Sequence, residues 1–442
     1  MINISDALWT RSYLSKKLLP VSFIENSITG NNYVVTGAIS ELWQEILEKQ
    51  NYNDILEFAI KKNLNEFLDP FLNELKENGL IHTDILLKKS SSNYLFGINI
   101  RSDNFELFAN KRKDFLVFNN FLGHIDLNLN YSCNLKCKHC CNIKNLNEYE
   151  IDIENAKKII DEAYNLGVFS VTLTGGECTI SRDFMEIAKY IKQKRLKLNI
   201  LTNGQKLYDN KDFYEKFVSL FPSAVQTSLY SMNPDVHDNL TGVKGSHYKT
   251  IDIIKKLRQK NINVIIACFQ TSYNKNSLLE VEEFAKSINA DFTASCRFQH
   301  NPQNNNLDAK LSKEEIIDFY IKTIDINNPR NCTLKCSGGL DRLAVMPNLE
   351  VNPCNYCYYF AGNFKSMPLK EIREKTIKNF QRKIIKENLK NCYKHDYCEY
   401  CEYCSVFPCY TENNFLNKSE ILCEDAQAYQ KALQIKRNMQ SL

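Results

Sequence analysis

The sequence predicts an α/β fold with a central parallel sheet, preceded by a small domain and followed by a cysteine-rich one. Between residues 123 and about 310, short apolar runs alternate with amphipathic helical segments. Such alternation favours parallel strands joined by right-handed crossovers. All 17 cysteines lie at or after Cys133, and ten of them fall between 332 and 423. This uneven distribution indicates where the domains begin and end.

Composition restricts the class of protein. The 442 residues are 43% hydrophobic and 24% charged, which is typical of a globular chain with two or three domains. A net charge of +4 gives no reason to expect nucleic acid as a partner. Neither an export signal nor an apolar run of membrane-spanning length is evident, so we expect a cytoplasmic protein without a membrane partner. The cytosol keeps thiols reduced, and this large number of cysteines therefore indicates metal or cluster binding.

Residues 1–83 predict a small unit with three helices. The first carries apolar residues at helical spacing, and Asn53 is a candidate cap for the second. Asp69 and Pro70 are typical of the start of a third helix, which Asn78 and Gly79 would end before a short strand. Residues 84–122 predict a connector without an assigned element.

The order of these elements, with its Asn-Gly-Leu-Ile helix ending, indicates a small α/β unit and resembles the small winged-helix domain known as the RiPP recognition element. RiPP denotes a ribosomally synthesised and post-translationally modified peptide. The resemblance implies that a precursor's leader peptide adds a strand to this domain and lies against its third helix. A helical cap on the neighbouring domain and a DNA-binding winged helix are the alternatives.

Three thiols follow the first predicted strand of the central region, in the segment Cys133-Asn-Leu-Lys-Cys137-Lys-His-Cys140. A [4Fe–4S] cluster normally takes four cysteine ligands, so three would leave one iron free to bind a substrate or cofactor. A zinc site or a set of buried thiols is the alternative.

The six predicted strands are 124–130, 169–174, 197–202, 224–230, 263–269 and 291–298.

This cysteine spacing resembles the signature of radical S-adenosylmethionine (SAM) enzymes, although His139 stands where an aromatic residue is usual. The resemblance implies an open, partial (β/α)6 TIM-type barrel over residues 123–310. It also implies that the free iron chelates SAM, which one electron cleaves to methionine and a 5′-deoxyadenosyl radical. A ferredoxin or flavodoxin would supply that electron.

A second motif, Thr174-Gly175-Gly176-Glu177-Cys178, follows the second predicted strand. It resembles the family's Gly-Gly-Glu-Pro motif, which implies that Gly175, Gly176 and Glu177 hold the SAM amine. The resemblance further implies that Asn203 and Ser228, at the ends of the next two strands, contact SAM. For Asn203 a capping or turn role remains open.

Cys178 takes the place of the motif's proline. Beside the SAM-binding residues, its thiol could donate a hydrogen atom to a substrate radical, and we treat it as a candidate catalytic residue. Packing is the alternative, and it is the default interpretation for Cys268 and Cys296 in predicted strands.

Residues 311–442 resemble the SPASM extension of peptide-modifying radical SAM enzymes, on the segments 336–354 and 398–409. The resemblance implies two auxiliary [4Fe–4S] clusters. The first would use Cys336, Cys354 and Cys409, completed by Cys332 or Cys357. The second would use Cys398, Cys401, Cys404 and Cys423, which leaves Cys392 without a role. Zinc ribbons are the alternative.

Together these resemblances imply an oxidoreductase that modifies a ribosomal precursor peptide bound through its leader. A thioether or carbon–carbon crosslink is the expected product. The alternatives are a peptide epimerase, a maturase of folded proteins of the anaerobic sulfatase-activating type, and a redox-sensing DNA-binding regulator.

Overall fold

The fold was analysed in a computed structural model of the 442-residue chain. It describes residues 1–5, 8–15, 18–26, 32–85, 87, 98–100, 115–116, 119–141, 149–299, 306–331, 336–357, 359–384, 388–389, 392, 395–404, 407 and 414–440. Within these ranges, none of the helices combines the length and the apolar character that crossing a membrane requires.

The N-terminal region contains more β-structure than the sequence predicts. Strands β2, β3 and β4 form an antiparallel sheet with β6, while β1 pairs with β5. Three helices, α1 to α3, lie between β4 and β5. The strands are Ile2–Ile4, Leu8–Ser15, Leu18–Asn26, Asn32–Thr36, Ile81–Thr83 and Ile98–Ile100, and the helices are Gly37–Lys49, Tyr52–Lys61 and Asn65–Glu77. Strand β6 lies within the segment predicted as a connector.

Two of the predicted helix starts are wrong. Helix α2 is capped by Asn51, whose side chain accepts a hydrogen bond from the Asn53 backbone N–H at 2.9 Å. Helix α3 begins before Asp69, so Pro70 lies inside it. The Asp69 carboxylate accepts a hydrogen bond from the Tyr52 hydroxyl instead of capping a helix. The apolar face of α3 continues on both sides of the proline, and its burial outweighs the one backbone hydrogen bond that the proline removes.

The predicted alternation of strands and helices in the central region is confirmed. Strands β7 to β12 pair in parallel and in chain order. They are His124–Asn128, Ser170–Thr174, Lys197–Leu201, Ala224–Ser228, Val264–Phe269 and Asp291–Ser295. The helices between and after them, α4 to α11, are Ile153–Asn165, Phe184–Gln193, Gln205–Asp209, Lys211–Val218, Pro234–Thr241, Ser246–Gln259, Leu278–Ser287 and Lys313–Thr323.

The two faces of this sheet differ in polarity. Residues at alternate positions, such as Ile125 and Val171, pack with the helices in one apolar core. The opposite face carries polar groups: His124 Nδ1 lies 2.7 Å from Ser170 Oγ, and His124 Nε2 lies 2.9 Å from an Asp126 carboxylate oxygen. The packed interior of a complete barrel is usually dominated by branched apolar residues. The polar face is therefore suited to hold a ligand or substrate.

The C-terminal region extends the same sheet. Strand β13, Arg342–Val345, pairs in parallel with β7, and β14 and β15, Glu350–Asn352 and Gly362–Asn363, follow antiparallel. Helix α12 spans Leu369–Asn379. Helix α13, Glu420–Gln440, packs against α11 through an apolar cluster. The cysteine-rich region is thus built onto the first strand of the central sheet.

The N-terminal sheet docks at the amino edge of the central sheet. The Tyr13 hydroxyl donates to the Gly167 carbonyl at 3.0 Å, and the Thr10 N–H donates to the Arg195 carbonyl at 3.1 Å. An ion pair joins Lys197 to Glu25. Gly167 and Arg195 precede β8 and β9, so these contacts lie at the amino edge of the central sheet.

Candidate active site at the carboxyl edge of the sheet

The three-cysteine segment begins five residues beyond β7 and is fixed to the segment that follows β8. The Leu129 N–H donates to the Thr174 carbonyl at 2.9 Å. In return, the Gly176 N–H donates to the Asn130 carbonyl at 2.8 Å. The Glu177 N–H donates to the Ser132 carbonyl, also at 2.8 Å. These bonds place Cys133 directly beside the Gly-Gly-Glu motif.

The two glycines allow this close contact between the segments. A Cβ atom at Gly176 would lie 2.3 Å from the Ser132 carbonyl oxygen, and one at Gly175 would lie 2.4 Å from that of Asn130. Gly175 also has a φ of 140°, which favours glycine. The backbone at the two glycines thus approaches the cysteine segment closely. The predicted contact of the glycines with the SAM amine stays a prediction.

Glu177 joins this pair of segments to a third. Its buried carboxylate accepts hydrogen bonds from the Thr179 N–H at 3.1 Å and the Thr179 hydroxyl. The Thr202 hydroxyl and the Asn203 N–H, at the end of β9, donate to it at 2.7 Å each. The Glu177 side chain therefore holds the ends of β8 and β9 together, and its predicted contact with the SAM amine stays a prediction.

Asn203 reaches the cysteine segment through its side chain. Its Nδ2 donates to the Asn134 side-chain oxygen at 2.7 Å and to Cys133 Sγ at 3.7 Å. Its Oδ1 accepts from the Gln205 N–H at 3.0 Å. Asn203 thus has a turn role and also contacts the cysteine segment, and its predicted contact with SAM stays a prediction.

The other side of the cysteine segment lies along the end of α8. The Lys136 and Lys138 N–H groups donate to the Thr241 and Leu240 carbonyls at 2.8 and 2.9 Å. Asp238, on the same helix, accepts from the His247 N–H at 2.8 Å. Burial alone would raise the pKa of Asp238, yet backbone donors hold it below its usual value. Asp238 thus caps the start of α9 and joins α8 to it.

Sequence reasoning missed an aromatic group beneath the cysteines. The His139 ring lies 4.8 Å from the Tyr230 ring and 5.4 Å from the Phe269 ring, measured between centroids. Ser228, predicted to contact SAM, hydrogen-bonds the Tyr230 side chain. Burial, and then the nearby Cys137, raise the pKa of Tyr230 well above its usual value. His139 could have been found from the sequence, because it occupies the position where the resemblance expects an aromatic ring.

Comparison with protein families matches residues 127–285 to the radical SAM superfamily. Residues 127–285 are a radical SAM domain. The match includes the three cysteines, the Gly-Gly-Glu motif, Asn203 and Ser228. Proteins of this superfamily use a [4Fe–4S] cluster and SAM.

Among curated proteins, the radical SAM domain and its flanks are similar to AlbA, the antilisterial bacteriocin subtilosin biosynthesis protein of Bacillus subtilis. The identity is 29% over 253 residues, which cover 52% of this chain and 54% of AlbA, about half its length. An AdoMet-dependent heme synthase of Methanosarcina barkeri is 25% identical over 56% of this chain and 80% of its own. PqqA peptide cyclase of Rhodopseudomonas palustris is 24% identical over 53% of this chain and 68% of its own.

Solved structures show that the similarity in fold extends beyond the radical SAM domain. SuiB of Streptococcus suis, bound to S-adenosylmethionine, matches 95% of this chain and 99% of its own with a TM-score of 0.56 and 15% identity. SuiB bound to the precursor peptide SuiA matches 96% of this chain and 100% of its own, with a TM-score of 0.55 and 16% identity. The predicted α/β fold with a central parallel sheet is confirmed.

Cys178 lies beside the radical SAM site but faces the core. Its side chain is fully buried, and the thiol donates to the Leu201 carbonyl at 3.2 Å. Burial, and then the Glu177 carboxylate, raise the pKa of Cys178 well above its usual value, so the thiol stays protonated. This environment favours packing over hydrogen-atom donation, although the catalytic role remains a prediction.

One apolar cluster and one cavity bring the described C-terminal cysteines together. Cys336, Cys354 and Cys404 contact the apolar cluster, as do Cys392 and Cys401. Burial first, and then Cys404 and Cys336, raise the pKa of Cys354 to about 12. The cavity is lined by Cys392, Cys398, Cys401 and Cys423. Cys357 is buried in the same apolar cluster as Cys336, Cys354 and Cys404. Cys332 and Cys409 lie outside the described residues.

The donors at these sites are cysteine thiols, the usual ligands of iron–sulfur clusters. Across the described ranges, no three His, Cys, Asp or Glu side chains converge as ligands of one metal ion. A four-iron cluster spreads its cysteine sulfurs around the cube, so its ligands need not meet at one point. Cysteine thiols in apolar surroundings, each carried by a fixed segment, fit that requirement.

Proposed function

We propose that the protein is a radical SAM maturase that modifies a ribosomal precursor peptide. The observation that carries the proposal is the three-cysteine segment, locked between the ends of β8, β9 and α8 at the carboxyl edge of the sheet. Active sites of barrels of this kind form at the same edge. The expected domains are 1–83 for peptide binding, 84–122 as connector, 123–310 as barrel and 311–442 as SPASM domain.

Within this proposal, Cys133, Cys137 and Cys140 hold the cluster to which SAM binds. When bound and reduced, the cluster would supply the electron for the cleavage of SAM, the chemistry by which hydrogen would be removed from the peptide. Gly176 and Glu177 hold the cysteine segment in place, as their bonds to residues 130, 132, 202 and 203 indicate. Gly175 allows the two segments to approach closely. The chain's contribution is therefore position and the exclusion of water.

Several of the similarities support a peptide substrate. AlbA takes part in bacteriocin biosynthesis, PqqA peptide cyclase acts on a peptide, and SuiB binds the precursor peptide SuiA. SuiB also matches almost the whole chain, including its N-terminal sheet and helices. Strand addition by a leader peptide is a common way to use such a sheet. We expect a thioether or carbon–carbon crosslink as product.

The proposal extends to the partners and the compartment. A low-potential donor such as ferredoxin or flavodoxin would reduce the clusters. Cysteine ligands in such number are compatible with the cytoplasm, where thiols remain reduced.

The test is anaerobic incubation of the loaded full chain with SAM, dithionite and a short peptide encoded beside its gene. Mass spectrometry should show that the peptide loses two hydrogens, and a peptide without its leader should react far less. A peptide whose mass is unchanged in ordinary water, but which takes up deuterium at an α carbon in deuterated water, would indicate an epimerase instead. SAM cleavage with no change in any such peptide would contradict the peptide proposal.

A further inference from the structure

Four cysteines from three separate segments surround one cavity in the C-terminal region. They are Cys392, Cys398, Cys401 and Cys423. The resemblance to the SPASM extension leaves Cys392 without a role. It groups Cys404 with Cys398, Cys401 and Cys423 instead. The structure therefore gives a different set of neighbours from the one that the family resemblance implies.

The backbone explains why Cys401 faces this cavity. Residue 401 is extended, with φ −80° and ψ 119°, and successive side chains of an extended segment point to opposite sides. Tyr403 lines the cavity together with Cys401. Glu402 points elsewhere, because its carboxylate pairs with Arg297 at 2.6 Å. Cys404 is not among the residues that line the cavity.

The remaining thiols reach the cavity from short structured segments. Cys398 lies in a 3-10 turn, Asp396–Tyr400, and the Cys401 N–H donates to the Cys398 carbonyl at 3.2 Å. Cys423 lies in the first turn of α13, where its N–H donates to the Ser419 carbonyl at 3.0 Å. The start of α13 and the turn thus present their thiols to the same space as Cys392.

Cys404 does not line this cavity. It contacts an apolar cluster that contains the buried Cys357 and that is also contacted by Cys336, Cys354, Cys392 and Cys401. Of these five thiols, only Cys392 and Cys401 also line the cavity. The Cys357 N–H donates to the Cys354 carbonyl at 3.2 Å, which closes a turn that holds both residues. Cys336 and Cys404 lie near the Cys354 thiol.

We propose that Cys392, Cys398, Cys401 and Cys423 are the four ligands of one auxiliary [4Fe–4S] cluster, and that Cys404 belongs with Cys336 and Cys354 to the other. Four thiolates complete the usual ligand set of such a cluster. The identity of the bound group rests on the proposed function, whereas the grouping of the cysteines rests on their positions.

The test uses the full chain with Cys133, Cys137 and Cys140 replaced by alanine, so that only auxiliary clusters remain. After anaerobic loading, iron content and electron paramagnetic resonance of the reduced protein report the two clusters separately. Cys392→Ala and Cys423→Ala should remove or alter the same signal. Cys404→Ala and Cys354→Ala should affect the other signal. Cys296→Ala, a buried thiol in the cluster between α11 and α13, should preserve both.

A second measurement needs no C-terminal substitution, in case a variant fails to fold. In the loaded chain, Cys392 should resist alkylation, and removal of the iron by a chelator should make it reactive. Cys392→Ala with both signals intact, or Cys404→Ala that removes the signal lost in Cys423→Ala, would overturn the grouping alone. Zinc in place of iron would overturn both the cluster and the proposed SPASM function.

Discussion

The cysteines of the radical SAM domain and those of the C-terminal region are held in different ways. Backbone hydrogen bonds to three neighbouring segments fix residues 129–138 at the edge of a regular sheet. The C-terminal cysteines instead lie in short turns and in an apolar cluster. The first three thiols lie within eight residues of one fixed segment, so the spacing along the sequence alone keeps them close together. In irregular segments, side-chain direction decides which thiols meet, and spacing alone is a poor guide.

The largest effect is expected from Gly176→Ala, which tests the backbone contacts at the first site. The added Cβ would collide with the Ser132 carbonyl oxygen at 2.3 Å and displace the cysteine segment. A misplacement of about 1 Å can cost roughly 100-fold in rate, so we expect SAM cleavage to fall by about that factor. Iron content and 5′-deoxyadenosine formation in the loaded protein are the measurements.

Gly245→Ala is the matched control for this glycine. Gly245 has a φ of 83°, but nothing lies within 4 Å of the position of its Cβ. Its substitution should lower stability by about 1 kcal/mol through backbone strain and leave cluster loading intact. Equal loss of iron in both variants would show that the close contact at Gly176 is unimportant.

The next largest effect is expected from Asp425→Ala, at the junction of the C-terminal helix with the central sheet. The buried carboxylate pairs with Arg297 at 3.2 Å and Arg330 at 3.0 Å. Removing one partner of a buried pair leaves charge uncompensated, and the free energy of unfolding should fall by about 3 kcal/mol. Chemical denaturation measures it. Asp212→Ala, which breaks an exposed pair with Lys216, should leave stability nearly unchanged.

A smaller effect is expected from Glu177→Gln, which keeps the size of the side chain but replaces one of the two oxygens that accept these four hydrogen bonds. If the amide oxygen keeps the three bonds from Thr179 and Thr202, the amide N–H₂ faces the Asn203 N–H, and stability should fall by about 2 kcal/mol. SAM cleavage should fall with it, because the ends of β8 and β9 separate. The exposed Glu186→Gln on α5 is the control. Unchanged stability in Glu177→Gln would mean that the carboxylate does not join the two segments.

The smallest effect is expected from Cys178→Ala. The thiol is buried and bonded to the Leu201 carbonyl, so its loss should cost about 1 kcal/mol of stability. Peptide product and SAM cleavage should stay at wild-type levels, as measured per loaded cluster. Normal SAM cleavage combined with lost product would instead support a hydrogen-atom donor at this position.

The central fold was predictable because apolar alternation is a local property. Each strand of the sheet packs its alternate residues on the helices, and this pattern is readable along the chain. The N-terminal sheet was not predicted, although β2, β3 and β4 pair with their neighbours along the chain. Only its last strand, β6 at Ile98–Ile100, pairs with a distant segment. The start of α3 was missed because Asp69 bonds Tyr52 from another helix, a contact that no local signal reveals.

The site was predictable in part for the same reason. Cys133, Gly176 and Glu177 follow strand ends, and neighbouring parallel strands bring such positions together at one edge. Sequence reasoning missed what the side chains contact, such as the bonds of Glu177 to residues 179, 202 and 203. It also missed that Cys392 lines the same cavity as Cys398, Cys401 and Cys423. Cys392 lies outside the segment 398–409 that carries the resemblance, and the extended backbone at residue 401 is not evident from the spacing.

The most direct test of the central claim is reductive SAM cleavage by the loaded chain. Wild-type protein, incubated anaerobically with SAM and dithionite, should release 5′-deoxyadenosine and methionine in equal amounts. The variant with Cys133, Cys137 and Cys140 all replaced by alanine should release none, while its C-terminal iron remains. Cleavage that persists in this variant, or its absence from fully loaded wild-type protein, would contradict the assignment of these three cysteines as the radical-generating site.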